Sequence, residues 1–377
     1  MSRRTFSATR LGAVARKEWI QLKRDPRSMI LAFVLPLLLL IFFGYAITWD
    51  VEDLALAVVD EDGTALTREL TATLEATGDF RITDWPASRD AADHLLVTGA
   101  VRGVVVIPPG FTADLRSGRG AALQMLVDGS DANTATIALN TADAIIGGFA
   151  RKVVLQGRTL ELPMRAETRV WYNPELESRN MIVPGLVAVI MSIIAAMLTA
   201  LTIAREWERG TMEQLASTPV TRVEVVLGKL LPYLLIGLFD VAVTVTAGIL
   251  LFQTPLNGSV LHLAVLTLLF LTGALGLGIF ISAAVKSQIL ATQIAMVATY
   301  LPAVLLSGFL YEIASMPPVL RAVTYLIPAR YYITVTRGIF LKGVGPEVLW
   351  PQAVFMAGFA LVGLGLATHV FKKELPS

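Results

Sequence analysis

The sequence predicts an α-helical polytopic membrane protein with six transmembrane helices and an inserted α/β domain on the extracytoplasmic side. Three observations lead there. Of 377 residues, 55% are hydrophobic and only 16% are charged, whereas a soluble domain carries about 25% charged residues. The deficit is concentrated in long stretches with almost no charge, each near the roughly 20 apolar residues that cross a bilayer as a helix. One segment of ordinary soluble composition separates the first of these stretches from the others.

Residues 1–27 come first and are rich in Arg and Lys. Leu11, Val14, Ala15, Trp19 and Leu22 keep a helical spacing among Arg10, Arg16, Lys17, Lys23 and Arg24. This pattern predicts an amphipathic helix on the inner membrane surface, in contact with lipid and with Trp19 at headgroup level. Asp25-Pro26 then turns the chain into span one, 28–48. A cleaved signal peptide ending near Gly44-Tyr45-Ala46 is the rival reading; the long basic leader and the full-length apolar run speak against it. The other spans are expected at 181–204, 230–252, 260–285, 289–311 and 348–370. Eight Lys and Arg precede span one, four lie between spans two and three, one lies between spans four and five, and two end the chain. The short connections on the opposite side, the inserted segment 49–180 left aside, hold four, Arg321, Arg330, Arg337 and Lys342. That bias puts both termini in the cytoplasm.

Residues 49–180 form the inserted domain. The short Val-rich runs 54–59, 101–107 and 123–127 predict buried strands, and 168–172 a last one. Helical patterns at 64–76, 87–97 and 133–156 alternate with them, which suggests a small α/β sheet. Asp60-Glu61-Asp62 and Asp128-Gly129-Ser130-Asp131 follow strands and precede helices. Neither has the spacing of a calcium loop or a zinc site, so both are expected to act as turns and N-caps.

No catalytic machinery is expected. There is no phosphate-binding G-x-x-x-x-G-K-[ST], no H-E-x-x-H and no G-x-S-x-G. Gly273, Gly276 and Gly278 lie inside span four, where glycines let helices approach closely. The histidines, His94, His262 and His369, sit in unrelated regions, and the absence of Cys removes disulfides, thiolate metal sites and a cysteine nucleophile. A net charge of +1 gives no signal for nucleic acid. Within the spans, Asp240 is the clear ionisable residue, and an intramembrane carboxylate faces a bundle interior or a water path. With Gln293 it is the candidate for a transport path; packing by a protonated carboxyl is the structural alternative. Glu312 is expected at the outer end of span five.

After span two, 205–219 combines dense charge, Gly210 and a short helical pattern ending at Pro219. Met212 and Leu215 lie three apart and can share a face, as apolar anchors for a partner's groove.

Together these stretches resemble the ABC-2 type permeases. The resemblance is carried by Lys17-Glu18, Arg24-Asp25-Pro26, Pro36 and Phe43-Gly44-Tyr45-Ala46, then by Trp171-Tyr172-Asn173-Pro174 and Val183-Pro184-Gly185. Its most specific stretch runs from Glu206 to Pro219, and Leu306-Ser307-Gly308-Phe309, Pro328-Ala329-Arg330-Tyr331-Tyr332, Arg337-Gly338-Ile339 and Leu341-Lys342-Gly343 complete it. It is closest to bacterial multidrug-type exporters with a large domain between the first two spans. The resemblance implies that 205–219 is a coupling helix docking on ABC ATPase subunits through Glu206, Glu208, Arg209, Gly210, Thr211, Met212, Glu213 and Leu215. It implies a second contact on the N-terminal helix near Arg16, Lys17, Glu18, Trp19 and Arg24. It implies short re-entrant helices over 312–346 within the 181–377 membrane body, and a second permease copy or a paralogue as dimer partner. ATP and Mg would be bound by the separate ATPase, with no cofactor on this chain. A periplasmic membrane-fusion adaptor would be a further partner, and the location the bacterial inner (cytoplasmic) membrane. The function implied is the permease subunit of an ATP-driven exporter of hydrophobic, amphiphilic or cationic cargo. An ion-coupled secondary transporter would need more intramembrane charge, and a scaffold or receptor would need fewer spans.

Overall fold

A computed structural model describes residues 6–47, 53–117, 120–154, 171–174 and 177–371. Contacts divide the chain into two units, Met1–Thr48 with Val170–Ser377, and Trp49–Arg169.

The chain starts with α1 (Ala8–Lys23). The Asp25 carboxylate accepts the Ser28 N–H at 3.4 Å and the Ser28 hydroxyl at 2.8 Å, a helix-start arrangement that ends one helix and begins the next. Pro26 opens α2 (Pro26–Met29), where its fixed φ suits a first turn. A π-helical stretch, Ile30–Val34, leads into α3 (Leu35–Ala46). The helical run over the predicted first span is therefore unbroken but not uniformly α, and its apolar part, Ile30–Ala46, is shorter than the other candidate spans.

The second unit alternates strands and helices: β1 (Leu54–Asp60), α4 (Ala65–Ala76), β2 (Phe80–Asp84), α5 (Arg89–Val97), β3 (Gly103–Ile107), α6 (Phe111–Ser117), β4 (Gln124–Val127) and α7 (Ala132–Val154). The sheet order is β2-β1-β3-β4, with β1 parallel to β2 and β3, and β4 antiparallel to β3. The two central strands are buried on both faces, which is why they read as continuous apolar runs. Leu56, Val58, Val105 and Ile107 meet Leu70, Leu74 and Phe149 on one side. Ala57, Val59, Val104 and Val106 meet Ala92 on the other. Strand β2 was not anticipated: only Phe80 is buried in it, so an edge strand of mixed polarity carries no hydrophobic run. The predicted strand at 168–172 and the end of the helix at 133–156 fall largely outside the described residues.

The membrane unit resumes with α8 (Ser178–Glu208), followed by α9 (Met212–Ser217), α10 (Arg222–Phe252), α11 (Val260–Val285) and α12 (Gln288–Leu305). A 3-10 turn (Ile313–Ser315), α13 (Pro318–Thr324), α14 (Pro328–Arg337) and a π-helical stretch (Gly338–Lys342) lead to α15 (Pro346–Val370). Among the described residues, five helices are long and apolar enough to cross a membrane: α8, α10, α11, α12 and α15. Helix α12 stops at Leu305, short of the expected end at 311, and Glu312 lies beyond it.

Helix α8 is the core of this unit. Its apolar window is 89% buried against 17% for α12, so α12 keeps a wide apolar face. Glycines set the closest crossings. A methyl group on Gly278 would collide with the Thr199 hydroxyl and the Ala196 carbonyl of α8, and one on Gly276 would meet the backbone of Gly363 on α15. At the other end of the bundle, the Arg337 guanidinium donates to the backbone oxygens of Met181 at 3.2 Å, Gly308 at 3.0 Å and Phe309 at 3.3 Å. This joins α14 to the start of α8 and to the turn after α12.

Candidate functional site

The densest polar cluster lies where α1 crosses α10 beside the end of α8. Gly228 makes the crossing possible: a Cβ there would stand 2.7 Å from the Val14 Cβ. Val14, Glu18 and Leu22 form the buried stripe of α1, one residue per turn on a single face. The predicted spacing is thus present, but with a carboxylate at its centre, and this face meets protein.

Glu18 is buried because Lys229 is buried with it, their side chains 3% and 2% exposed. The Lys229 Nζ donates to Glu18 Oε2 at 2.7 Å and to Glu206 Oε1 at 3.2 Å. The Tyr233 hydroxyl donates to Glu18 Oε1 at 3.2 Å. Lys17, half exposed, donates to Glu206 Oε1 at 2.7 Å, and the Thr211 hydroxyl bonds the other Glu206 oxygen. Two carboxylates and two ammonium groups balance in charge, as buried ions must to offset their lost hydration. The cluster binds α1, α8, α10 and the turn before α9 into one joint.

Two further ion pairs flank it. Arg205 Nη2 reaches Asp25 Oδ2 at 2.7 Å and Ser28 Oγ at 3.3 Å. Arg10 Nη2 donates to Glu224 Oε1 at 2.7 Å, where the Ser7 N–H also donates at 2.6 Å. Glu224 closes the capping box of α10 with Thr221. On the far side of α8, Glu208 accepts the Gln288 N–H at 2.7 Å and the Lys286 Nζ sits 4.3 Å from the centre of the Trp207 ring.

The residues assigned to the coupling segment separate accordingly. Glu206 and Glu208 are not in a loop, since α8 continues through both. Glu206 is buried in the joint and Met212 is 2% exposed, so neither is presented to a partner. Leu215 is half-buried. The expected apolar anchors face the protein itself, and the outward face of α9 is polar, with Glu213, Gln214 and Ser217 exposed. Glu208, Arg209 and Gly210 are exposed beside it; Gly210 has φ +68°, a left-handed conformation that favours glycine. Thr211 is half-buried.

On α1, Arg16 and Lys17 are exposed, as is Arg24 just past its end; Trp19 is half-buried under the Lys23 ammonium at 5.2 Å, and Glu18 is inaccessible. Lys229, Arg205, Asp25, Arg10 and Glu224 are the members that sequence reasoning missed. Their signal was the presence of both signs of charge at the ends of long apolar helices.

Asp240 is 2% exposed on α10, and its Oδ1 has no hydrogen-bond partner among the described residues. Gln293 is exposed on α12 and lines a cavity of about 1090 Å³ that Asp240 does not line. The structure does not bring these two together. In the second unit the acidic turns act locally. Asp60 accepts the Asp62 and Gly63 N–H groups, Asp62 accepts the Gly110 and Thr112 N–H groups and the Thr112 hydroxyl, and Asp131 accepts from Thr134. The Thr112 hydroxyl, with those N–H groups, holds the Asp62 carboxyl below the usual carboxylate range. Among the described residues no group of His, Asp or Glu could hold a metal, and His94 is exposed on α5.

Comparison with known proteins gives a consistent set of relatives. Residues 26–369 match the family described as ABC-2 family transporter protein. The chain is 38% identical to the probable multidrug ABC transporter permease YbhS of Escherichia coli over 379 aligned residues, covering 100% of each chain. It is 29% identical to the probable multidrug ABC transporter permease YbhR of the same organism, over 90% of this chain and 92% of that one. It is 24% identical to the linearmycin resistance permease protein LnrN of Bacillus subtilis, over 85% and 88% respectively.

Proposed function

The chain belongs to the ABC-2 family of transporter proteins and is the permease subunit of an ABC exporter, and we propose that it converts ATPase movement into transport through the buried joint between α1, α8 and α10. Membership of this family implies ABC ATPase subunits as partners, which hold ATP and Mg. Their docking surface is the polar face of α9 with Glu208, Arg209 and Glu213, flanked by Arg16 and Lys17 on α1 and by Arg24 just past its end. The observation that carries the reading is the Glu18–Lys229–Glu206–Lys17 cluster, which begins one turn from α9 and reaches two membrane helices. Ions fixed on both sides by hydrogen bonds transmit displacement, because stretching a buried pair is costly. A push on α9 therefore moves α8 and α10 as one body.

In this reading the α2–α3 run is the first of six spans. Both termini and α9 are cytoplasmic, the unit Trp49–Arg169 is extracytoplasmic, and the short helices over 312–346 are re-entrant. Support comes from the Lys and Arg bias and from exposed Val319 and Leu326 on and after α13. A second permease copy or paralogue completes the path, and the wide apolar face of α12 suits it. The membrane is the bacterial inner membrane, and a periplasmic adaptor meets the outer unit. The cargo is a hydrophobic, amphiphilic or cationic compound; two relatives named as multidrug permeases support that class, and Asp240 suits a cation. Neither an ion-coupled transporter nor a scaffold has support from the relatives.

Reconstitution with the ATPase tests the docking surface. Glu213→Arg combined with Arg209→Glu, both at exposed positions, is expected to lower ATP-dependent export and ATPase co-purification by about ten-fold or more, the effect of reversing charges at an interface. Unchanged assembly and export would place the docking surface elsewhere.

A further inference from the structure

The cavity of about 1090 Å³ opens between the start of α2, α8 and α12, and it shares Lys17, Arg24, Glu208 and Arg209 with the rim of the proposed docking surface, while its inner wall plays no part in docking. Its polar lining is unbalanced in one direction. Both carboxylates in it are engaged: Asp25 by Arg205 at 2.7 Å and Ser28 at 2.8 Å, and Glu208 by the Gln288 N–H at 2.7 Å. Donors are in surplus. Arg24 and Arg209 are exposed, and their side chains make no ion pair or hydrogen bond among the described residues. Arg205 is only 5% exposed, yet its Nε has no acceptor there. A buried donor without an acceptor is costly and rare. One such donor beside two free guanidinium groups describes a site for an anion, and guanidinium forks match phosphate oxygens in pairs.

The remaining wall is apolar. Ile20, Leu201 and Ile289 line the cavity, and Ile289 continues into the exposed Leu290, Ile294 and Val297 of α12. The site therefore suits a molecule with an anionic head and an apolar tail. We propose that this cavity binds the phosphate headgroup of an anionic phospholipid, held by Arg24, Arg205 and Arg209, with its acyl chains along Ile20, Leu201 and Ile289. The inner leaflet is its source, a point that rests on the cytoplasmic placement of α1. A free phosphate shares the head chemistry but leaves the apolar wall unused. The bound lipid ties the start of α2 to α8 and α12.

The test is native mass spectrometry of the full-length permease without its ATPase, so that a docking role of Arg24 and Arg209 cannot enter the readout, titrated with phosphatidylglycerol or phosphatidylcholine of the same acyl chains. ATPase and ATP are both absent, so a failure of the coupling reading leaves this readout unaffected. Phosphatidylglycerol is expected to bind at least about ten-fold more tightly, since each basic residue near a headgroup adds measurably to anionic lipid affinity. Arg24→Gln with Arg209→Gln, both exposed positions, is expected to remove that preference while the unfolding temperature stays within a few degrees of the wild type. Equal binding of the two lipids, or a preference that survives the double substitution, would overturn the site. Displacement of phosphatidylglycerol by millimolar inorganic phosphate would overturn the lipid assignment in favour of a soluble phosphate.

Discussion

At the scale of single residues, Lys229 bears the most. It lies between Glu18 and Glu206 with almost no exposure, and its removal leaves buried Glu18 without its cation and Glu206 with only the half-exposed Lys17. Breaking a buried ion pair from one side costs roughly 3–5 kcal/mol. Lys229→Ala is expected to destabilise the purified permease by about that amount in thermal unfolding. Lys17→Ala, at a half-exposed partner of the same Glu206, should cost roughly 0.2–1 kcal/mol. Equal effects would show that the cluster is not organised around Lys229. Asp62 makes a pH-dependent contribution in the other unit. Its carboxyl is held low by the Thr112 hydroxyl, so the contact stabilises the fold above the usual carboxylate range and is lost as pH falls through the lowered value. Thr112→Val should therefore speed amide exchange in the turn between β1 and α4 at pH near neutrality. The difference from the wild type should shrink below about pH 4; a difference that grows in acid would contradict the sign.

Elements show where local rules were overridden. Gly278 sits inside α11, about two turns before its end, a position where Ala would favour the helix by about 1 kcal/mol. The Thr199 hydroxyl and Ala196 carbonyl leave no room for that methyl. Gly278→Ala is expected to lower the unfolding temperature, whereas Gly12→Ala on α1, with nothing within 4 Å, should not. The same logic explains α1. Its apolar spacing was legible as an amphipathic helix, and burial of Val14 and Leu22 follows it. The partner of that face was not legible, because a stripe that suits a lipid surface equally suits another helix. Strand β2 illustrates the reverse case: its existence depends on hydrogen bonds to β1, not on any apolar run.

For the whole molecule, one buried carboxyl in an otherwise apolar span sets an expectation about cargo. Asp240→Asn preserves shape and removes the negative charge. Reconstituted export of a cationic amphiphile is expected to fall by about ten-fold or more, while that of a neutral analogue changes little, since an intramembrane charge acts on cargo through its sign. Equal losses for both would make Asp240 a packing residue.

The sequence by itself determined the membrane class, the approximate positions of the five long apolar helices and the α/β character of the segment that precedes them. These follow from hydropathy and from strand and helix periodicity, which are properties of consecutive residues. Only the tertiary structure decided which charges matter. Arg205 and Lys229 read as ordinary flanking charge, since Lys and Arg near span ends are expected for orientation alone, while Lys17, Glu18 and Glu206 were expected to face a partner protein rather than one another. Whether such a charge faces water or pairs in the interior depends on helix crossings such as that at Gly228. Those crossings are fixed by shape between residues some two hundred positions apart, and no local pattern encodes them.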